Sequence, residues 1–290
     1  MKQRQRLVLL LAAWVLFFGR QILAEQEITF EILGRFDYPG GSNTFVSGIN
    51  DRGDVVGSFV NEVLNRSEGF VRFADGTFSD PIVNPAGRST YPSGINNNGT
   101  ICGSYTLADG ATFRGFLLSG STFTNFDFGT PNTYIRRVND AGNFCGTTLD
   151  QAFVSIDGAL IMFAVANRTT DVWGINNLNQ VVGGAARLAT EYSFRRDADG
   201  SIDWPIKAPG FQNTDMFDID DKGRMVGFVV DPDTNTQGFL LRPGLRFAFF
   251  SYPGASITEF IGINNHGYIC GTFYDAHGSH GFVVRVRGGD

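Results

Sequence analysis

The chain has 290 residues, with 37 glycines and 28 phenylalanines against four methionines, and a formal net charge of −6. That profile belongs to short strands and tight turns, and no extended stretch carries the 3.6-residue periodicity of a helix. An acidic chain with no basic cluster excludes nucleic acid and anionic lipid as partners.

Residues 1–24 read as an export segment. Lys2, Arg4 and Arg6 precede an apolar run from Leu7 to Phe18, which falls short of the about 20 residues needed to span a bilayer. Ala24 offers a cleavage point before Glu25. Ile22 fits the minus-three position less well than alanine, so an uncleaved anchor is the alternative. No cysteine stands nearby for a lipoprotein anchor. Loss of Lys2, Arg4, Arg6 and Arg20 would take the net charge from −6 to −10. The expectation is a signal peptide followed by one domain over 25–290, secreted or periplasmic, with no stable membrane insertion once cleavage has occurred.

From residue 47 onward one motif recurs six times. "SGINDRGDVVGSF" at 47–59 returns as "SGINNNGTICGSY" at 93–105, then as "RVNDAGNFCGTT", "GINNLNQVVGGA", "DIDDKGRMVGFV" and "GINNHGYICGTF". The anchors are Asn50, Asn96, Asn139, Asn176, Asp220 and Asn264, spaced by 46, 43, 37, 44 and 44 residues. A glycine stands seven residues after each: Gly57, Gly103, Gly146, Gly183, Gly227 and Gly271. Periods of this size mark propeller repeats. After each anchor comes a turn in which Gly53, Gly99, Gly142, Gly223 and Gly267 suit a positive φ, and Asn179 replaces that glycine in the fourth unit.

Each unit is expected to hold four strands, the third opening at Phe70, Phe116, Phe153, Phe194, Phe239 or Phe282. The sixth unit supplies only three before the chain ends at Asp290. The missing one lies at the other terminus, where "ITFEILGRFDYPGG" (28–41) compares with "LRFAFFSYPGA" (245–255). The predicted fold is an all-β, six-bladed propeller of four-stranded antiparallel blades, closed by the N-terminal strand joining the last blade.

The pattern GINxxGxxxGxx…GF…F-x-x-[FIY]-D-x-P-G resembles the HAF family of extracellular repeats, named for a His-Ala-Phe triplet. The resemblance covers about residues 28–286. The triplet itself has drifted to "EGF", "RGF", "QAF", "YSF", "QGF" and "HGF", and only His280 keeps the histidine. The resemblance implies secretion and a propeller-like array, and brings no activity with it.

Cys102, Cys145 and Cys270 share one repeat position, where other units carry Val56, Val182 and Val226. They read as buried free thiols, because equivalent positions on neighbouring blades exceed the roughly 7 Å reach of a disulfide. The Asn/Asp-rich turns read as turn formers rather than calcium loops, since most units carry one acid or none. The segment "YDAHGSH" (274–280) contains Asp275, His277 and His280; the repeat template already accounts for His280, the loop before it is expected to be exposed, and Asp275 and His277 are candidate ligand-binding residues. Neither a metal site nor a cofactor is expected.

The sharpest irregularity lies two residues before the anchor. Four units have glycine there (Gly48, Gly94, Gly174 and Gly262), the third has Arg137 and the fifth has Asp218. In a propeller this position lines the central channel, so Arg137 and Asp218 are expected to meet inside it and are the other two candidate binding residues. Three sequons, at Asn65, Asn98 and Asn167, would accept glycans in a eukaryotic secretory pathway.

The loops of one face are short, polar and unlike one another, and its acids (Glu62, Glu68, Asp231, Asp233 and Asp275) are scattered over several units. No carboxylate pair for glycoside chemistry emerges. The reading is therefore a monomeric, non-catalytic binding module for an extracellular ligand, glycan or protein. The alternatives are a carbohydrate-active hydrolase or lyase and a passive repeat of a surface assembly.

Overall fold

An antiparallel meander is written once per repeat, because each unit places a residue of positive φ in the turn after its anchor, glycine in five units and Asn179 in the fourth, and another at most later turns. The computed structural model describes residues 27–149, 151–187, 190–244 and 246–288; the export segment expected at 1–24 lies outside them. By contacts the chain divides into a large unit, Phe30–Val286, and a small one, Met1–Thr29 with Arg287–Asp290. The description that follows concerns the large unit.

Among the described residues all of its regular structure is strand. β1 (Thr29–Phe36) leads into a three-stranded sheet of β2 (Ser42–Ile49), β3 (Val55–Asn61) and β4 (Arg66–Arg72). Then come four-stranded sheets of β5 (Thr90–Ile95), β6 (Ile101–Thr106), β7 (Phe113–Ser119) and β8 (Thr122–Phe126), and of β9 (Tyr134–Val138), β10 (Phe144–Thr147), β11 (Ala152–Ile156) and β12 (Ala159–Phe163). The fourth unit contributes β13 (Thr169–Ile175), β14 (Val181–Arg187), β15 (Thr190–Arg196) and β16 (Ile202–Ile206). The fifth contributes β17 (Asn213–Ile219), β18 (Met225–Val230), β19 (Thr236–Arg242) and β20 (Arg246–Phe250); the sixth has β21 (Ile257–Ile263), β22 (Tyr268–Asp275) and β23 (Gly278–Arg287). A single parallel bridge, Thr236 to Ile257, joins these last two sets into one eight-stranded sheet.

β1 is the outer neighbour of β23, so the first strand completes the sheet of the last repeat. The first and last repeats also bond directly, Val46 N donating to Thr272 Oγ1 at 3.1 Å.

One expectation needs correcting. The first unit has no fourth strand, only two isolated bridges, Gly69 to Ile82 and Arg72 to Phe78. Pro81 has no N–H to donate. The segment stays near β4 through Ser79 N to Val71 O and Ile82 N to Gly69 O, both 2.8 Å.

A β-bulge recurs in the innermost hairpin of every unit. Register slips between Val46 and Gly48, Pro92 and Gly94, Val172 and Gly174, Met216 and Asp218, and Phe260 and Gly262, and in the third unit opposite the same point, between Cys145 and Gly146. The bulge explains the glycine at plus seven. It drives the carbonyl of the residue five before the anchor onto that glycine, where a Cβ would collide with Phe45 O, Tyr91 O, Tyr134 O, Asp171 O, Asp215 O or Glu259 O. Any larger residue would force the hairpin apart.

The buried aromatics follow the same template. Phe70, Phe116, Phe153, Phe194, Phe239 and Phe282 have no exposed surface, and each lies inside the third strand of its unit, which begins earlier than the sequence pattern suggested. A threonine six residues before each anchor is also buried: Thr44, Thr90, Thr133, Thr170, Thr214 and Thr258. Each hydroxyl accepts from the backbone N–H of the incoming loop, at Tyr38, Asn84, Phe128, Val165, Ala208 and Tyr252. These contacts fix the entry of each innermost strand and so the placement of everything that faces the centre.

Candidate functional site

The six anchors form a ring of side-chain hydrogen bonds from repeat to repeat. Asn50, Asn96, Asn139 and Asn176 donate through Nδ2 to the backbone oxygen of the next anchor, and Asn264 donates to Asn50 O, at 2.9–3.3 Å. Asp220 has no N–H to give. There Arg224 takes over, gripping Asp220 Oδ2 at 2.6 Å through Nε and reaching Asn264 O at 3.4 Å through a terminal nitrogen.

One residue further on lies a second ring, in which acids and amides alternate: Asp51, Asn97, Asp140, Asn177, Asp221, Asn265. The backbone N–H of each donates to the side-chain oxygen of the next at 2.7–2.9 Å. Every amide nitrogen then donates to both flanking carboxylates, at 2.8–3.0 Å. Each Oδ2 of Asp51, Asp140 and Asp221 thus receives two N–H donors, and no donor faces a donor. The two rings enclose a cavity of about 60 Å³ whose lining also includes Arg137 and Asp218.

Arg137 and Asp218 close that cavity from the inside. Arg137 Nε stands 3.2 Å from Asp218 Oδ1, with both side chains under 10% exposed (8% and 6%). The arginine also donates from Nη1 to Ser47 O (2.8 Å) and Ser93 O (2.9 Å), and from Nη2 to Ile261 O (3.1 Å). Asp218 Oδ2 accepts from Ile263 N at 3.0 Å. Burial pushes the Asp218 carboxyl up to about 6, the Arg137 charge opposing the rise. Glycine at the other units is what makes room: a Cβ at Gly48 or Gly94 would strike the Arg137 side chain, and one at Gly174 would strike Asp218.

On the other side of this plug opens a cavity of about 330 Å³. The bulges build its wall. In each unit the residue three before the anchor is the bulged one, and all six (Ser47, Ser93, Arg136, Trp173, Phe217 and Ile261) line the cavity. Re-aiming a side chain is what a bulge does beside a site. Tyr91, Phe113 and Tyr134 extend the wall, with ring centroids 6.1 Å (Tyr91–Phe113) and 5.0 Å (Phe113–Tyr134) apart. The Arg136 guanidinium lies over Tyr134 at 4.7 Å and over Trp173 at 4.0 Å, and Trp173 meets Phe217 at 5.0 Å. A belt of half-buried rings with one cation between them faces the opening.

No protein-family model matches this chain, and no curated protein does. Among solved structures it is similar to a protein assigned as TolB from Agrobacterium tumefaciens, with 11% identity and a TM-score of 0.60 over 91% of this chain and 99% of that one. It is also similar to a streptogramin B lyase, with 12% identity and a TM-score of 0.53 over 90% and 98%. The fold is an all-β propeller. At such identities the likeness is one of architecture, and the chemistry must come from the residues.

In this propeller the four residues singled out in the sequence fall into two separate places. Arg137 and Asp218 form the plug. Asp275 and His277 sit in the tight hairpin between β22 and β23, where Asp275 Oδ1 accepts from His277 N at 2.7 Å and the His277 ring is exposed. His280, which the repeat template assigns to the third strand, lies in β23 and is 7% exposed. It lies between two acids, with Nδ1 2.6 Å from Asp37 Oδ1 and Nε2 3.1 Å from Asp275 Oδ1. This Asp–His–Asp bridge ties the segment after β1 to the last hairpin, which is a structural use for Asp275. Glu68, counted among the acids of the loop face, is buried and paired with Arg66. The three cysteines are free and fully buried, and burial raises the thiols of Cys102 and Cys270 to about 12. Among the described residues no group of three or more His, Cys, Asp or Glu could hold a metal ion, and no helix is long and apolar enough to cross a membrane.

Arg136, Trp173 and the alternating acid–amide ring escaped the sequence reading. The ring had a signal, since the residue after each anchor reads D, N, D, N, D, N. The wall did not: Ser, Ser, Arg, Trp, Phe, Ile looks like drift until the bulge turns that column toward the centre.

Proposed function

We propose that this chain is a secreted, non-catalytic carbohydrate-binding module, a six-bladed propeller closed by β1, which receives its ligand in the ring-lined cavity above Arg137. The export segment at 1–24 and the resemblance to HAF-type extracellular repeats support an extracellular site of action. The one observation that carries the reading is the wall itself, in which Tyr91, Phe113, Tyr134, Trp173 and Phe217 keep partly exposed rings around one concavity. Flat apolar rings beside a few fixed polar groups are how proteins hold a sugar ring, whose two faces differ in polarity in the same way.

A carbohydrate hydrolase needs two carboxylates about 5–10 Å apart at the scissile bond. Among the described residues no aspartate or glutamate lines this cavity. Asp218 faces the plug and is committed to Arg137, so the site has recognition groups without an acid and base pair.

The test is a glycan array probed with the full chain and with Trp173→Ala and Tyr134→Ala. Binding to a saccharide class that falls at least tenfold in Trp173→Ala supports the reading. Absence of any bound glycan, or binding that Trp173→Ala leaves unchanged, overturns it, as would capture of a surface protein through this face with no saccharide bound.

A further inference from the structure

Arg136 is the one charged side chain in the wall whose hydrogen-bonding capacity goes unused. Arg137, its neighbour in β9, makes three bonds to backbone oxygens and an ion pair. Arg136 has neither a hydrogen bond nor an ion pair among the described residues, and its Nε is buried with no partner. Its guanidinium is held face-on by Tyr134 and Trp173. Stacking occupies the flat faces and leaves the N–H edge free, and that edge matches a carboxylate in bidentate geometry. A second polar atom in the same lining is also unmatched: Ser104 is 3% exposed, and its Oγ has no hydrogen-bond partner.

Resting on the carbohydrate reading above, we infer that the cavity selects a saccharide bearing a carboxylate, a uronic acid unit, and that the Arg136 guanidinium edge is what holds the carboxylate. The rings flanking Arg136 take the sugar's apolar face, and Ser104 supplies a donor or acceptor deeper in the wall. The local electrostatics agree. Burial pulls the Arg136 guanidinium below its usual range, and the carboxylate of Asp171, beyond ion-pair distance, only partly opposes this. A stacked, partly desolvated cation gains most from an anion brought in with the ligand. The lining offers such an anion no repulsion, since it contains no acid. At about 330 Å³ the cavity stands at the small end of ligand pockets, which run from about 300 to 1,000 Å³, so one or two sugar units would be enclosed.

Titration calorimetry on the full chain would separate this inference from the reading beneath it. The probes are di- and trisaccharides of galacturonate, glucuronate and mannuronate, their methyl esters, and neutral oligosaccharides of matching length. The expected result is binding of at least one acidic series, a loss of tenfold or more on esterification, and a similar loss in Arg136→Gln with partial retention in Arg136→Lys. The ester comparison requires no variant, so it holds even if Arg136→Gln folds poorly. Ester and acid bound alike, neutral sugars preferred, or full uronate affinity in Arg136→Gln would each overturn the carboxylate assignment and leave carbohydrate binding standing. No binding of any saccharide would remove both.

Discussion

Arg137 and Asp218 meet at 3.2 Å in a ring position that four of the six repeats leave as glycine. Two repeats place side chains in a space that the other four leave to glycine, and Arg137 lines both the cavity of about 60 Å³ and that of about 330 Å³. Removing one partner of a buried pair leaves an uncompensated charge, which costs about 3–5 kcal/mol, whereas removing both is often close to neutral. Arg137→Ala and Asp218→Ala should therefore each lower unfolding free energy by about 3 kcal/mol, and the double variant should be more stable than either single one. Chemical denaturation of all four proteins gives the cycle. Strict additivity would mean that the two side chains act independently, against the geometry.

The same carboxyl sets an acid-side signature. Its folded-state value lies above the ordinary carboxylate value of 3.8, near 6, because it is buried. Between those values the folded chain holds a proton that the unfolded chain has released. The contribution of Asp218 to stability is therefore larger at low pH and is lost as pH rises through about 6. Relative to Asp218→Asn, the wild-type protein should gain about 1 kcal/mol on going from pH 7.5 to pH 5. Denaturant midpoints at the two pH values would show it. A gap between the two proteins that is constant with pH would mean that Asp218 is ionised throughout.

What could be read from the sequence was whatever repeats. Six identical offsets carry the hairpin, its turn and the plus-seven glycine, and two departures from glycine carry the plug. The six threonines before the anchors were equally visible as a column, yet their meaning depends on loop backbones that no spacing reveals. The wall residues were hidden for a stronger reason. A bulge is a property of two strands paired out of step, and the side chains of Arg136 and Trp173 are aimed only after that pairing exists. His280 shows the same limit, since its two acids lie 243 and 5 residues away.

Alternation in the second ring is a chemical requirement rather than a composition bias. Asn97→Asp would set a third carboxylate between Asp51 and Asp140 and delete both N–H donors that those acids share with it. Asp140→Asn would place an amide between the amides of Asn97 and Asn177, losing acceptors without adding charge. Both should destabilise by about 1–3 kcal/mol. Only the Asn97→Asp deficit should shrink when ionic strength rises from 0.05 to 0.5 M, because screening relieves like-charge repulsion and does nothing for a missing acceptor. Thermal unfolding at the two salt concentrations distinguishes them. Equal salt responses would show that charge is not what the alternation manages.

Asp220 and Arg224 offer the most direct check on the anchor ring. Five anchors are asparagines that donate onward; the sixth is a carboxylate, 3% exposed, whose onward contact is made by the arginine four residues later. Burial raises the Asp220 carboxyl, with Arg224 opposing, so the acid depends on its neighbour to stay charged inside the hairpin. Arg224→Ala should then cost about 3 kcal/mol, through a stranded carboxylate and a broken ring. In an Asp220→Asn background the new amide can reach Asn264 O as the other five reach theirs, and the same Arg224→Ala change should cost about 1 kcal/mol or less. Denaturant unfolding of the four proteins reads the difference directly. If Arg224→Ala is equally damaging with asparagine at position 220, the arginine supports the hairpin by packing, and the ring does not need a donor at every station.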